Sequence, residues 1–259
     1  MTTEPPRIDT TKAHPARVYD YLLGGKDNYE PDKKVGRELP PVAVSAARLN
    51  RAFMHRAAAW CARSGTDQFL DIGTGIPTEP NLHQVVQRIR PAARIVYTDN
   101  DPIVLRHAQA LMFSSPEGSS DYIESDVRDP ERILEHARTL LDFSRPITLS
   151  LIALMHFIVE DDDPYRLVRT LVEALPSGSH LMLSHGTFEL MPEVEEEFTR
   201  VYTGGGMPLA FRNRTQVERF FDGLDLVEPG VVAITDWYKD TPRPEHQRNI
   251  LYAGVARIP

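Results

Sequence analysis

An α/β fold, a mostly parallel sheet with helices on both faces, follows from three features of this 259-residue chain. Apolar strand-like runs alternate with helical patterns along most of its length. A glycine-bearing loop follows the first clear strand, in Gln68-Phe-Leu-Asp-Ile-Gly-Thr-Gly-Ile-Pro-Thr78. The unbroken apolar run Ile147–Met155 has the character of a central parallel strand, which is covered on both faces and so shows no polar alternation.

The elements follow in order. Ala16–Leu23 reads either as a helix with a glycine C-cap at Gly24 or as part of a lid, since Gly24-Gly25 permits a sharp turn before Asp27, Asn28 and Tyr29. Val42–Arg63 is a helix: Leu49, Phe53, Ala57, Trp60 and Cys61 recur on one face, and Gly65 can end it. Phe69–Asp71 is the first strand, and Asn81–Ile89 the helix after the glycine loop, stopped before Pro91. Arg94–Asp99 is a second strand. Asp101 caps the helix Pro102–Met112, with Pro102 at its first position. Tyr122–Glu124 is a short third strand, and Asp129-Pro130 opens the helix Glu131–Leu141. After the apolar fourth strand come the helix Tyr165–Leu175, closed by Pro176-Ser-Gly178, and the fifth strand His180–Ser184. Glu193–Glu197 reads as a solvated helix face, and the three glycines after Thr203 as a mobile loop in which Phe211 and Arg212 touch an acceptor or brace the loop. Thr215-Gln-Val-Glu218 has the form of a capping box opening the helix Gln216–Phe221. The last strands, Val231–Thr235 and Ile250–Arg257, have no long helix between them and so can pair antiparallel. The link Asp236–Pro244 reads as exposed.

The glycine loop narrows the ligand. Gly73-Thr-Gly75 alone fits an ordinary loop as well as a site. The third glycine of the dinucleotide pattern is missing, and Pro77 cannot donate an N–H to a pyrophosphate. Asp71 sets a negative charge beside the loop, which repels phosphate and suits a cation. These departures favour S-adenosylmethionine, which carries an ammonium and a sulfonium and no phosphate. Asp99 ends the second strand, where a carboxylate can accept both ribose hydroxyls; alternatively Asp99, Asn100 and Asp101 only cap the next helix. Asp126 follows the third strand, where it can accept the adenine amine while the Val127 N–H donates to a ring nitrogen, or it is a loop acid.

These stretches resemble the class I S-adenosylmethionine-dependent methyltransferases. More narrowly, His14-Pro-Ala-Arg-Val-Tyr-Asp-Tyr-Leu-Leu-Gly-Gly-Lys-Asp-Asn-Tyr-Glu-Pro-Asp32, Phe69–Thr78 and Tyr97-Thr-Asp-Asn-Asp-Pro102 resemble an actinobacterial S-adenosyl methyltransferase family first catalogued as a domain of unknown function. The resemblance implies a Rossmann-like fold: a mostly parallel seven-stranded sheet with an antiparallel last strand. It implies S-adenosylmethionine as cofactor, held by Asp71, Gly73, Gly75, Asp99, Asn100, Asp126 and Val127. In this class the end of the fourth strand faces the methyl group, which brings Ala153, Met155 and His156 to the reacting atoms. The N-terminal segment, residues 1–64, is expected to lie as a helical lid over the core of residues 65–259, with Tyr19, Asn28 and Tyr29 over the cofactor or acceptor. A tyrosine face beside a sulfonium would gain from cation–π attraction.

Chemistry asks little of the protein beyond alignment, because the methyl carbon is already activated by the positive sulfur. His156 could orient or deprotonate an acceptor, or be a packed residue bonded to a carbonyl. His185 is a second candidate, whereas His83, His107 and His180 read as ordinary surface or helix residues. The expected acceptor is a small molecule. A net charge of −8 and the lack of basic runs argue against nucleic acid. No apolar stretch approaches the roughly 18 residues of a membrane span, and Met1–Lys12 lacks a secretory apolar region. The single cysteine, Cys61, excludes an internal disulfide and suits a buried helix face in a reducing cytoplasm. No histidine–cysteine spacing suggests a metal. Two other readings remain: a non-catalytic S-adenosylmethionine- or S-adenosylhomocysteine-binding regulatory protein, and an NAD(P)-dependent oxidoreductase, which Pro77 and Asp71 disfavour.

Overall fold

The computed structural model describes residues 8–111, 114–239, 241–242 and 247–259. Five strands run parallel: β1 (Gln68–Ile72), β2 (Arg94–Asp99), β3 (Ser119–Glu124), β4 (Thr148–Ile152) and β5 (His180–Gly186). Two short strands, β6 (Asp225–Leu226) and β7 (Val232–Ala233), both pair antiparallel with β8 (Leu251–Arg257), which itself runs antiparallel to β5. The order is β3-β2-β1-β4-β5-β8-β6 with β7 also on β8, an eight-stranded sheet where seven strands are expected. The additional strand is β6, whose two exposed residues carry no hydrophobic pattern to read.

Three helices precede the sheet: α1 (Pro15–Leu23), α2 (Glu30–Glu38) and α3 (Val42–Arg63). α1 ends as a helix with Gly24 in the left-handed region at φ 83°. α2 is not expected from hydrophobic periodicity, because its sequence EPDKKVGRE is almost wholly polar. Its start is nevertheless encoded: Pro31 fits the first turn, and the Asp32 carboxylate accepts the Tyr29 N–H at 2.8 Å and the His14 N–H at 2.9 Å. Between the strands lie α4 (Leu82–Gln87), α5 (Pro102–Leu111), α6 (Pro130–Ala137), α7 (Pro164–Glu173), α8 (Glu195–Gly204) and α9 (Arg214–Glu218). Met112, expected to end α5, lies outside the described residues. The capping box of α9 sits two residues before the expected one. Asn213 Oδ1 accepts the Gln216 N–H and Gln216 Oε1 accepts the Asn213 N–H, both at 2.9 Å.

The sheet is covered on both faces. On one, α3 brings Ala57, Ala58, Cys61 and Ala62, all fully buried, against Phe69, Met182 and Val255. On the other, Ile133 and Leu134 of α6 and Leu167 and Leu171 of α7 cover Leu70, Ile72, Leu149 and Leu151. Trp237 corrects the expectation of an exposed link: it is fully buried, edge-on to Phe53 at 5.4 Å. An aromatic ring of that size gains more from the apolar groove beside α3 than from solvent. Within that link Asp240, Arg243 and Pro244 lie outside the described residues. His83 and His180 are likewise buried rather than superficial, paired with the Tyr97 hydroxyl and the Thr66 hydroxyl. Among the described residues no helix is long and apolar enough to cross a membrane.

The strand order reverses direction between β1 and β4. Loops leaving the carboxyl ends of those strands diverge to opposite faces and leave a crevice between them.

Candidate functional site

A cavity of about 400 Å³ opens at that crevice. Of the residues expected at a site, Tyr19, Asp71, Gly73, Gly75, Asp99, Asn100, Asp126, Val127, Ala153 and His156 all line it.

The glycine loop is clamped onto β2. The Gly73 and Thr74 N–H groups both donate to the Thr98 carbonyl, at 2.8 and 3.1 Å, and the Gly75 N–H donates to Asp99 Oδ2 at 2.8 Å. Three consecutive backbone donors are thereby used internally. The loop keeps its carbonyls and bare Cα atoms for a ligand, a surface suited to a cation rather than a phosphate. Gly73 and Gly75 both have positive φ, 74° and 69°. A Cβ on Gly75 would enter open space, whereas one on Gly73 would sit 2.8 Å from Leu154 Cδ1. Gly73→Ala is therefore expected to destabilise the protein by about 1–3 kcal/mol, through a strained φ and overpacking, a loss that urea unfolding would measure.

Asp71, one residue before the end of β1, lies opposite Ser150 of β4, and this register puts the Ser150 hydroxyl 2.5 Å from Asp71 Oδ1 as a donor. Burial pushes the Asp71 carboxyl up to about 6, although Ser150, Thr74 and the nearby Arg51 favour its charged form. Arg51, on α3, also lines the cavity; its Nη2 donates to the Thr78 and Pro80 carbonyls. No motif in the sequence marks Arg51, because it arrives from a separate helix.

Asp99 ends β2 with Oδ1 accepting the Asp101 N–H at 3.0 Å and Oδ2 accepting the Gly75 N–H. Burial raises its pKa, partly offset by His14 and these two donors. Asn100 donates to Asp126 Oδ2 at 2.7 Å, which joins the ends of β2 and β3. For Asp126, burial is outweighed by the Arg128 N–H, the Asn100 amide and the Arg128 guanidinium, which hold its pKa below the usual value. Ser125 carries no signal in the sequence, yet its hydroxyl is buried on the cavity wall with no hydrogen-bond partner.

Helix α1 is wired to the opposite wall. Tyr19 Oη donates to the Ala47 carbonyl and accepts from Asn50 Nδ2, both at 2.9 Å. Asn50 Oδ1 accepts from the Ser184 hydroxyl at 2.6 Å, and the Ser184 Oγ accepts from the Ala153 N–H at 2.9 Å. Ala153 has φ 53°, a left-handed conformation rare for a residue with a Cβ, held by this relay at the end of β4.

Three expected residues lie off the cavity wall. The Asn28 amide donates to Asp20 Oδ2 at 2.7 Å and to the Gly25 carbonyl, so it closes its own loop. Tyr29 precedes the first turn of α2, with its ring under the Arg17 guanidinium at 5.3 Å. Met155 is fully buried, and its carbonyl accepts from Arg212 at 3.0 Å.

His156 is on the wall, and its environment favours one neutral form. Its Nδ1 accepts the Gly186 N–H at 3.3 Å, which leaves the ring proton on Nε2. Burial and the neighbouring Arg212 push its pKa down to about 3. His185 is saturated, with Nδ1 on the Gly186 carbonyl at 2.8 Å and Nε2 accepting from Arg212 at 3.0 Å. Arg212 is a brace: its buried guanidinium donates to the carbonyls of Met155, Ile158 and Ala210 and reaches Glu160 at 2.7 Å.

Comparison with known proteins gives a consistent picture. A family model described as S-adenosyl methyltransferase matches residues 1–259. The chain is 46% identical to a DUF574 family protein from Streptomyces avermitilis, with a TM-score of 0.93 over 98% of this chain and 100% of the other. It is 36% identical to a candidate methyltransferase from Thermobifida fusca, with a TM-score of 0.87 over 100% of this chain and 99% of the other. An S-adenosylmethionine-dependent methyltransferase from Anabaena variabilis shares the fold alone, at 12% identity and a TM-score of 0.55 over the full length of both chains. None of the curated proteins matches.

Proposed function

The chain belongs to the S-adenosyl methyltransferase family, and we propose that it transfers a methyl group from S-adenosylmethionine to a small-molecule acceptor. S-adenosylmethionine is the cofactor of this family, and its fold is that of the class I enzymes. The observation that carries the reading is the chemistry of the cavity wall. Three carboxylates at three strand ends, a loop whose backbone donors are used internally, and an orphaned buried Ser125 hydroxyl fit a cationic nucleoside and do not fit a pyrophosphate.

In this reading Asp71 and the carbonyl side of Gly73–Gly75 take the methionine ammonium, while Arg51 takes its carboxylate. Asp99 accepts the ribose hydroxyls, with Asn100 fixing the loop. Asp126, Val127 and Ser125 meet the adenine. Part of the segment 1–64 is the lid over residues 65–259, with Tyr19 as its contact. When bound, the cofactor supplies a methyl group on positively charged sulfur. Ala153 and His156 stand at the end of β4, where the acceptor must align; His156 offers an Nε2–H as donor rather than a free base.

Two outcomes follow. Asp99→Ala should weaken S-adenosylmethionine binding by about 1–3 kcal/mol through lost charged hydrogen bonds, and unchanged affinity by calorimetry would remove Asp99 from the site. The folded pKa of Asp71 lies above its unfolded value of about 3.9, so its contribution to stability is present below that pH and lost as pH rises through about 6. A bound ammonium instead prefers the ionised carboxylate. Affinity should therefore fall as pH drops from about 7 to about 5, and Asp71→Asn should flatten that dependence.

The direct test of transfer uses S-adenosylmethionine labelled in its methyl group, incubated with the protein and a small-molecule extract. Label in low-mass products is expected. Tight cofactor binding with no labelled product would favour the regulatory reading, for which the lack of a free base among the described residues of the ring-lined part of the cavity wall is the supporting observation.

A further inference from the structure

The charges around the cavity are segregated. Its acids, Asp71, Asp99 and Asp126, and its arginines, Arg51 and Arg128, gather around the strand ends and the loop. Among the described residues, the remaining wall carries no aspartate, glutamate or lysine. It is built instead from one continuous run of rings. His156 lies 4.4 Å from Phe157 and 5.4 Å from Phe211, Phe157 lies 5.7 Å from Tyr202, and Phe198 stacks on Tyr202 at 6.2 Å with planes 12° apart. All five rings line the cavity, and so do Ala43, Ala46 and Ala47 of α3. A charge held against these rings away from the His156 Nε2–H would lose its hydration with no partner in return. A flat aromatic body would instead gain ring contacts in offset or edge-on geometry.

Among the described residues the ring-built part of the wall holds no free base. His156 Nδ1 is taken by the Gly186 N–H, and both nitrogens of His185 are taken, by the Gly186 carbonyl and Arg212. The Tyr19 hydroxyl donates to Ala47 and accepts from Asn50. His14 stands among the acids and not among the rings, beside Asp99 and with its Nδ1 3.3 Å from Asp101. Burial keeps Tyr19 and Tyr202 protonated, the former pushed up to about 12 and the latter also raised, and keeps His156 neutral. Asp71 and Asp99 stand at the other end, where the proposed cofactor contacts occupy them.

We infer that the acceptor is an aromatic molecule with no charged group other than its own nucleophile, a ring nitrogen or a phenolic oxygen already free of its proton, which the His156 Nε2–H orients by donating to it. The inference rests on the methyl-transfer reading above. In the step, the acceptor lone pair forms the bond to the methyl carbon while the C–S bonding pair returns to sulfur and discharges it. A phenol has given its proton to solvent beforehand, so no protein group need receive one.

The test starts from the protein saturated with S-adenosylhomocysteine, because failure of that ligand to bind would refute the methyltransferase reading rather than this one. Ligand-observed NMR then compares 4-nitrophenol, 2-naphthol and quinoline with spermidine and glucose 6-phosphate. The aromatic probes are expected to bind and to weaken at least tenfold in Phe157→Ala, with the cofactor product still bound. Preferred binding of the polyamine or the sugar phosphate, or binding of none of the five, would overturn the proposal. With the aromatic phenol that is methylated fastest, the rate should rise with pH along the phenol's own ionisation. His156→Gln, which keeps a donor, should lower kcat and leave that midpoint in place, and a midpoint that moves or disappears in this variant would show His156 to be a base.

Discussion

Arg17→Ala is expected to cost about 3–5 kcal/mol of stability, the toll of leaving a buried charge without its partner. Arg17 Nε and Nη2 donate to Asp101 Oδ2 and Oδ1 at 2.7 and 2.9 Å, a two-point pairing with both side chains almost fully buried. Asp101 also caps α5 by accepting the Ile103 N–H at 3.1 Å, and its own N–H donates to Asp99. This arginine of α1 is thus two bonds from the acid proposed to hold the ribose. Urea unfolding would show the deficit as a lower midpoint at unchanged slope. Arg17→Ala with Asp101→Asn should recover part of it, because the orphaned charge is gone. A double variant as unstable as the sum of its parts would mean that packing, not pairing, holds α1 in place.

A comparable loss, about 3–5 kcal/mol, is expected for Arg212→Ala. Its removal orphans the Ile158 carbonyl and the Nε2 of His185 in a buried part of the protein, at about 1–3 kcal/mol each before relaxation, and leaves the Met155 carbonyl with the Ile158 N–H at 3.3 Å. It also removes a guanidinium sandwiched near Tyr165 and Phe220, at 5.7 and 5.5 Å. Arg212→Lys should recover only a fraction, since an ammonium cannot reproduce the planar fork. Since these bonds fix the turn that carries His156, the lysine variant should lose acceptor binding while still binding cofactor. Thermal unfolding and calorimetry on the same preparation separate the two effects.

The sheet was legible because its strands are apolar and bounded by glycine and proline. α3 spans Val42–Arg63 as its periodicity predicts, and β2 ends at Asp99 as its acids suggest. The acids of the proposed site were legible because each lies at or within two residues of a strand's carboxyl end, where chain direction narrows where a side chain can go. What failed to show was whatever depends on distant partners. Asn28 looks like a ligand group in its glycine-rich stretch, yet the buried Asp20 carboxylate claims its amide. Arg51 and Ser125 carry no pattern, and the fold alone places them on the wall. Arg212 left two roles open, and only its acceptors on the stretch 155–160 and on His185 decide between them. The aromatic wall comes from the turn after β4, from α8 and from the loop after it, segments too irregular for spacing to register them as one surface.

The most direct test of the central claim, that the cavity at the β1–β4 reversal holds a cationic nucleoside, is calorimetric titration of the protein with S-adenosylmethionine, S-adenosylhomocysteine and NADH. Micromolar binding of both sulfur ligands and none of NADH is the expected result. Absence of heat with either sulfur ligand, or binding of NADH in their place, would contradict the assignment of the glycine loop and its three acids.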